Sequence, residues 1–182
     1  MHKRTIAIAG MLAGVLALTG CSSSPEPTGS PSSLPTTTSP SATSSTDVAV
    51  LDAIAVGDGM DAKPSVEVPN AVGNVDSLYV RDIVPGAGTA LQATDELTVH
   101  YVGISAVTHQ QFEGSWDAGQ TASFPLQGVI AGWQEGLVGM KVGGRRLLVI
   151  PGAMAYGATP PDGSGIGVNE TLIFIVDLIS IP

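Results

Sequence analysis

The stretch Phe124 to Leu137, FPLQGVIAGWQEGL, limits the fold more than any other part of the chain. A strand that runs into Phe124-Pro125-Leu126 loses its hydrogen-bond ladder at the proline and again at Gly128. Val129, Trp133 and Leu137 then recur at helical spacing, which predicts a short helical turn with one apolar face. Such a turn buries the Trp133 indole while leaving the Val129-Ile130 backbone within reach, as the floor and rim of an apolar pocket require. A core tryptophan with no pocket above it is the ordinary alternative, so a pocket needs support from elsewhere.

Strands and aromatic residues supply that support. Leu78 to Val84, Glu96 to Val102 before Gly103, Arg145 to Ile150 and Thr171 to Ile179 read as strands. Leu97, Val99 and Tyr101 share one face of the second. The last is apolar on both faces except at Asp177, the pattern of a central strand covered on both sides. Several strands with one short helix between them predict an α+β domain, an antiparallel sheet with the helix across one face. Tyr79, Tyr101, Phe112, Trp116, Phe124, Trp133, Tyr156 and Phe174, all the aromatic residues of the chain, fall in this part. Tyr101, Phe112 (expected in a loop) and Tyr156 stand where strands give way to loops, which suits pocket walls.

The rest of the chain divides by composition. Residues 1–20 place His2-Lys3-Arg4 before an apolar run from Thr5 to Leu18, which predicts a secretory leader shorter than the roughly 20 apolar residues of a membrane span. Leu18-Thr19-Gly20-Cys21 resembles the bacterial lipobox. That resemblance implies cleavage before Cys21 and a diacylglyceryl group on its sulfur, holding the protein at the extracytoplasmic face of the cell membrane. Cys21 is the only cysteine and can form no internal disulfide. Residues 21–46 are dominated by Ser, Thr and Pro, the composition of a disordered tether or, as the alternative, of a mucin-like glycosylated stalk. Asp47 to Ser77 reads as a β extension laid on the edge of the main domain, which spans 78–182. Gly57, Gly59 and Ala62 fit G-x-G-x-x-A, but Lys63-Pro64 stops the helix that a dinucleotide site needs.

Charge and residue inventory exclude several chemistries. A net charge of −9 argues against nucleic acid and against electrostatic attraction to anionic lipid. No serine sits in a nucleophile elbow, and His100 and His109 make neither a nucleophile's base nor a metal cluster. His100 is expected to be a satisfied strand residue. Gly163-Ser164-Gly165 lacks the lysine and helix of a phosphate cradle, and Asn169-Glu170-Thr171 fits a glycosylation acceptor with no use in a bacterial lipoprotein. No metal or cofactor is expected.

Five blocks in order carry a further resemblance: Val99-His100-Tyr101-Val102-Gly103, Phe112-Glu113-Gly114-Ser115-Trp116-Asp117, Val129-Ile130-Ala131-Gly132-Trp133, Ala155-Tyr156-Gly157 and Thr171-Leu172-Ile173-Phe174. Residues 78–182 thereby resemble FKBP-type peptidyl-prolyl cis-trans isomerases. The resemblance implies a strongly twisted antiparallel half-barrel wrapped around one short α-helix. It implies a pocket with Trp133 as floor and Tyr101, Phe112, Val129, Ile130, Tyr156 and Phe174 as walls. The Ile130 N–H and the Tyr156 hydroxyl would bind substrate carbonyls, and Ile166 matches an apolar residue of the loop before the last strand. Glu113 stands where the family usually has Asp, and Ala122 at a wall position that is often aromatic, which implies a wider pocket for rapamycin-type macrolides. The expected activity is X-Pro isomerisation in exported proteins by a monomer; a non-catalytic proline-segment module and a chaperone-like lipoprotein are the rivals.

Overall fold

A computed structural model describes residues 45–70 and 72–182; the leader, Cys21 and nearly all of the tether lie outside the described residues. Helix α1 (Ser45–Ala53) and two short paired strands, β1 (Ala55–Val56) and β2 (Val66–Glu67), come first. Six strands then form one antiparallel sheet: β3 (Tyr79–Val84), β4 (Glu96–Ser105), β5 (Gln111–Gly114), β6 (Ala122–Pro125), β7 (Arg145–Ile150) and β8 (Leu172–Ser180). Their order is β3-β7-β8-β4-β5, with β6 also paired to β4. Helix α2 (Ala131–Gly136) follows β6 through a 3₁₀ turn at Leu126–Gly128.

Strand alternation sorts side chains onto two faces. Leu97, Val99 and Tyr101 of β4, Leu148 and Ile150 of β7, and Leu172, Phe174, Val176 and Leu178 of β8 form the inner core with Trp133 and Leu137. Helix α2 lies close on this face because its glycines carry no Cβ: one added at Gly132 would stand 2.3 Å from Ile150, and one at Gly136 2.7 Å from Leu148.

The outer face is covered too. Val102, Ile104, Leu147, Val149, Ile173 and Ile175 are buried there against Leu51, Ile54 and Val72. This corrects the expected β extension: Asp47 to Ala53 is helical, the strands that follow are two residues long, and the segment packs on a face of the sheet instead of its edge. Leu51 and Ile54, three apart at the end of α1 and just beyond it, supply its apolar contact. Polar bonds pin the segment. Arg81 of β3 bonds Asp52 at 3.3 Å and the Ile54 carbonyl at 2.8 Å, and Arg145 bonds the Gly57 carbonyl at 2.7 Å. Thr171 Oγ1 accepts from the Val75 N–H at 2.9 Å while its own N–H donates to Asn74 Oδ1 at 3.1 Å.

Two strand expectations are also corrected. Strand β4 does not stop before Gly103 but continues to Ser105. Phe112 lies in β5, not in a loop, and β5 pairs with β4 across a register shift beside Gly103. A Cβ at Gly103 would stand 2.7 Å from Phe112 and 2.9 Å from Phe174. The glycine is there to let two rings approach the sheet, a recognised use of glycine within a strand.

Candidate active site

A cavity of about 260 Å³ opens over α2, lined by Tyr101, Glu113, Phe124, Gly128, Val129, Ile130, Trp133, Tyr156 and Phe174. Trp133 is its centre. The ring planes of Tyr101, Phe124 and Phe174 stand nearly perpendicular to the indole, with centroids 5.5, 6.0 and 5.4 Å away. Edge-to-face contacts of this kind hold each ring beyond the effect of burial alone. Phe112 stands edge-on to Phe174 at 5.7 Å and so supports the wall from behind.

The backbone rim is set by α2's first turn. The Ile130 carbonyl accepts from the N–H groups of Trp133 and Gln134 at 3.0 and 3.2 Å. Its own N–H precedes the helix and meets no acceptor among the described residues. Helix α2 therefore starts just past Val129, which lies outside it and on the pocket rim, not on the helix face that the spacing predicted. The Gln134 amide reaches back to the Val129 carbonyl at 2.7 Å and holds that rim in place. Nothing in the sequence singled out Gln134; its position one residue past the anchor tryptophan was the available signal.

Two tyrosines and one carboxylate supply the polar groups. The Tyr101 hydroxyl donates to Glu113 Oε1 at 2.8 Å. Its phenol pKa is pushed well above the usual value, first by burial and then by this bond to a carboxylate. Burial, with the Glu113 charge adding to it, also raises the Tyr156 phenol. Tyr156 is carried by the turn after the 3₁₀ segment Gly152–Met154. There Gly157 adopts φ +56 and donates to the Gly152 carbonyl at 2.8 Å, while Asn169 donates to the Gly157 carbonyl at 2.7 Å. Gly152 fits because a Cβ would stand 2.3 Å from the Asn169 backbone.

Of the nine candidate pocket residues, the structure brings Tyr101, Glu113, Val129, Ile130, Trp133, Tyr156 and Phe174 around one cavity. Phe112 and Ile166 instead line a neighbouring hollow that shares Glu113 and Tyr156. Phe124 was read only as a strand end. It is a wall, and the pleat could have shown it, since Leu97 and Phe124 are ladder partners on the inner face. Ala122, paired with Val99 on that face, does not line the cavity; the aromatic wall expected to be missing is supplied two residues on by Phe124. His100 is the satisfied strand residue it was expected to be, bonded to Ser115 Oγ at 2.9 Å and stacked on Trp116 at 4.0 Å. The described residues contain no group of three potential metal ligands.

Such an arrangement can bury a small apolar ring, present neutral donors to carbonyl oxygens and exclude water; it offers no nucleophile. A dry cavity of about 150 Å³ already admits a benzene-sized ligand, so a pyrrolidine ring fits over Trp133.

Comparison with known proteins agrees with this geometry. The family model for FKBP-type peptidyl-prolyl cis-trans isomerase matches residues 88–179. A Corynebacterium glutamicum protein named "Probable FK506-binding protein" is 51% identical over 119 residues, covering 65% of this chain and 98% of that protein. The FK506-binding protein of Streptomyces anulatus is 43% identical over 121 residues, covering 65% and 97%. Among solved structures, FkpA from Escherichia coli superposes with a TM-score of 0.53 at 39% identity, over 57% of this chain and 47% of that one.

Proposed function

The chain belongs to the FKBP-type peptidyl-prolyl cis-trans isomerase family and is an isomerase of X-Pro bonds; on that premise we propose that it acts on exported proteins from a lipid anchor at Cys21. The ring of perpendicular aromatics around Trp133 carries the mechanistic reading. Rotation about an amide faces a barrier of about 18–20 kcal/mol because the C–N bond has partial double-bond character. A twisted amide has lost that resonance and carries less charge on its oxygen, so a water-poor apolar cavity favours it over the planar form. The proline ring rests on Trp133 between Tyr101, Phe124 and Phe174. The free Ile130 N–H and the protonated Tyr156 hydroxyl hold neighbouring carbonyls. A 10⁴-fold acceleration asks about 5–6 kcal/mol of such differential stabilisation. Acceleration of a proline-limited refolding reaction tests these roles: Trp133→Leu abolishes most of it in a variant that still melts cooperatively, and full activity in that variant refutes the assignment.

The sequence Leu18-Thr19-Gly20-Cys21 supports the anchored reading. The 24 residues from Cys21 to Ser44 reach at most about 85 Å when extended, enough for the domain to meet chains emerging at the extracytoplasmic face. Mass spectrometry of the mature N-terminus decides it. A diacylglyceryl-modified Cys21 is expected; an intact Met1 leader or an unmodified Cys21 in membrane-extracted protein overturns the anchor. Binding of rapamycin-type macrolides in the same cavity, by a monomer, completes the proposal and is read by calorimetric titration.

A further inference from the structure

Glu170 is a buried carboxylate that does not line the cavity over Trp133. It closes a long loop, since the chain runs from Ala155 to Thr171 without helix or strand, and the three residues before Glu170 are exposed. Its Oε1 accepts from the Ser105 hydroxyl at the end of β4, and its Oε2 accepts from the Gly167 N–H. Ser105 is itself held, because its oxygen accepts from the Val107 and Thr108 N–H groups at 3.2 and 2.9 Å. The carboxylate thus bridges sheet and loop. No cation among the described residues forms an ion pair with it, so these donors are what offset its burial.

The loop needs such a tie. Gly163 and Gly165 both lie at φ +75 and Gly167 follows, and glycine loses more conformational freedom on ordering than any other residue. Gly167 is bare where the carboxylate approaches: a Cβ there would stand 2.9 Å from Glu170 Oε2. Asn169 adopts φ +53, a conformation that a residue with a side chain keeps only where its surroundings fix it. The same residues reach Tyr156. The Asn169 N–H donates to the Gly157 carbonyl at 2.7 Å, and its backbone lies so near Gly152 that a Cβ there would stand 2.3 Å from it. Gly152 and Gly157 bracket Tyr156 and are joined by a bond of 2.8 Å. The turn that carries the phenol therefore rests on Asn169, and the Glu170 carboxylate fixes Asn169 from the next position.

We propose that Glu170 is a positioning residue of the isomerase, aiming the Tyr156 hydroxyl through Gly167, Asn169 and Gly157 without touching substrate. The inference rests on the reading of Tyr156 as a donor to a substrate carbonyl. A misplaced hydroxyl is expected to cost about as much as a missing one. Loss of one such hydrogen bond lowers kcat/KM by about three- to tenfold.

The test is a double-mutant cycle in the full chain, reading kcat/KM for cis-to-trans conversion of the peptide Ala-Leu-Pro-Phe. Tyr156→Phe and Glu170→Ala are each expected to lower it by about three- to tenfold, and the double variant by no more than the larger single effect, because groups acting through one another do not add. Amide exchange at Asn169 is expected to quicken in Glu170→Ala. Single effects that multiply in the double variant, a Glu170→Ala chain with wild-type kcat/KM, or unchanged exchange at Asn169 overturns the positioning role and leaves the isomerase standing. So does an unchanged kcat/KM in Tyr156→Phe, since no hydroxyl then needs aiming. Should Glu170→Ala fail to melt cooperatively, Glu170→Gln takes its place in the cycle with the same expectations and the same refutations. Its single oxygen cannot serve both donors, and Ser105 Oγ, already accepting twice, has no lone pair left for the amide. No acceleration of the peptide by the wild-type chain removes the isomerase reading itself, and the positioning role with it.

Discussion

Arg145 and Asp177 face one another as register partners across the β7–β8 ladder and close two charge-assisted hydrogen bonds of 2.6 Å. Both side chains are buried, at 0% and 1% exposure. The same guanidinium continues outward to the carbonyls of Gly57 and Ala62 at 2.7 and 3.3 Å, so one side chain satisfies a strand carboxylate and two carbonyls of the segment covering the sheet. Removing one partner strands the other charge away from water. Asp177→Ala is expected to cost about 3–5 kcal/mol in denaturant unfolding. The double change Arg145→Met with Asp177→Leu is expected to cost less than that single change, while amide exchange near Gly57 quickens.

The two raised phenols give a pH dependence with a definite sign. In the unfolded chain a tyrosine ionises near pH 10; in the fold Tyr101 and Tyr156 hold their protons to higher pH. Above about pH 10 the unfolded state therefore binds fewer protons than the native state, and stability falls as pH rises. Their contribution is fully present below that pH. Melting followed between pH 7 and 11 is expected to stay level and then decline, with both hydroxyls ionising late in a tyrosinate absorbance titration. Isomerase activity is expected to be flat from about pH 6 to 8, and a steep profile abolished by a His100 substitution contradicts the mechanism.

Gly103→Ala probes the close approach of the rings. A methyl group 2.7 Å from Phe112 and 2.9 Å from Phe174 forces both to move. Overpacking of this kind costs about 1–3 kcal/mol, and because Phe174 stands against Trp133, the affinity for substrate is expected to fall as well. Melting curves and KM, measured together, check this.

Gln134→Ala separates the rim from the helix. Alanine is the better helix former, so global stability is expected to hold, while the Val129 carbonyl loses its 2.7 Å donor. A hydrogen bond of this kind contributes about 0.5–1.5 kcal/mol, so kcat/KM is expected to fall by up to about tenfold. Unchanged kcat/KM in this variant means that the rim holds itself.

What the sequence revealed depended on the strength of the local pattern. Arg145 to Ile150 was legible to the residue, and Thr171 to Ile179 nearly so, because a strand covered on both faces has no polar alternation to confuse it. The cover on the second face was misread. The run from Asp47 to Ala55 is apolar without a clear period, and only packing of Leu51 and Ile54 on the sheet makes it helical. Strand β5 was missed because four residues, QFEG, carry too little signal of their own; their pairing with β4 defines them. In the site, residues whose role follows from their ring or hydroxyl were named in advance. Gln134 acts through a bond to backbone, which no spacing announces.

The outer cover also separates the stretch that the family model matches from the unit that folds. The match to the family model begins at residue 88, yet the outer surface of the sheet at Val102, Ile104, Leu147, Val149, Ile173 and Ile175 is covered by Leu51, Ile54 and Val72, with Tyr79 and Ile83 of β3 packed beside them. A fragment cut to the boundary of that match would keep every cavity residue but lose β3 along with the cover, and would present a sticky hydrocarbon wall to its neighbours in solution. Expressed alone it should self-associate, and its apparent loss of activity would be a solubility failure originating on the face opposite the chemistry.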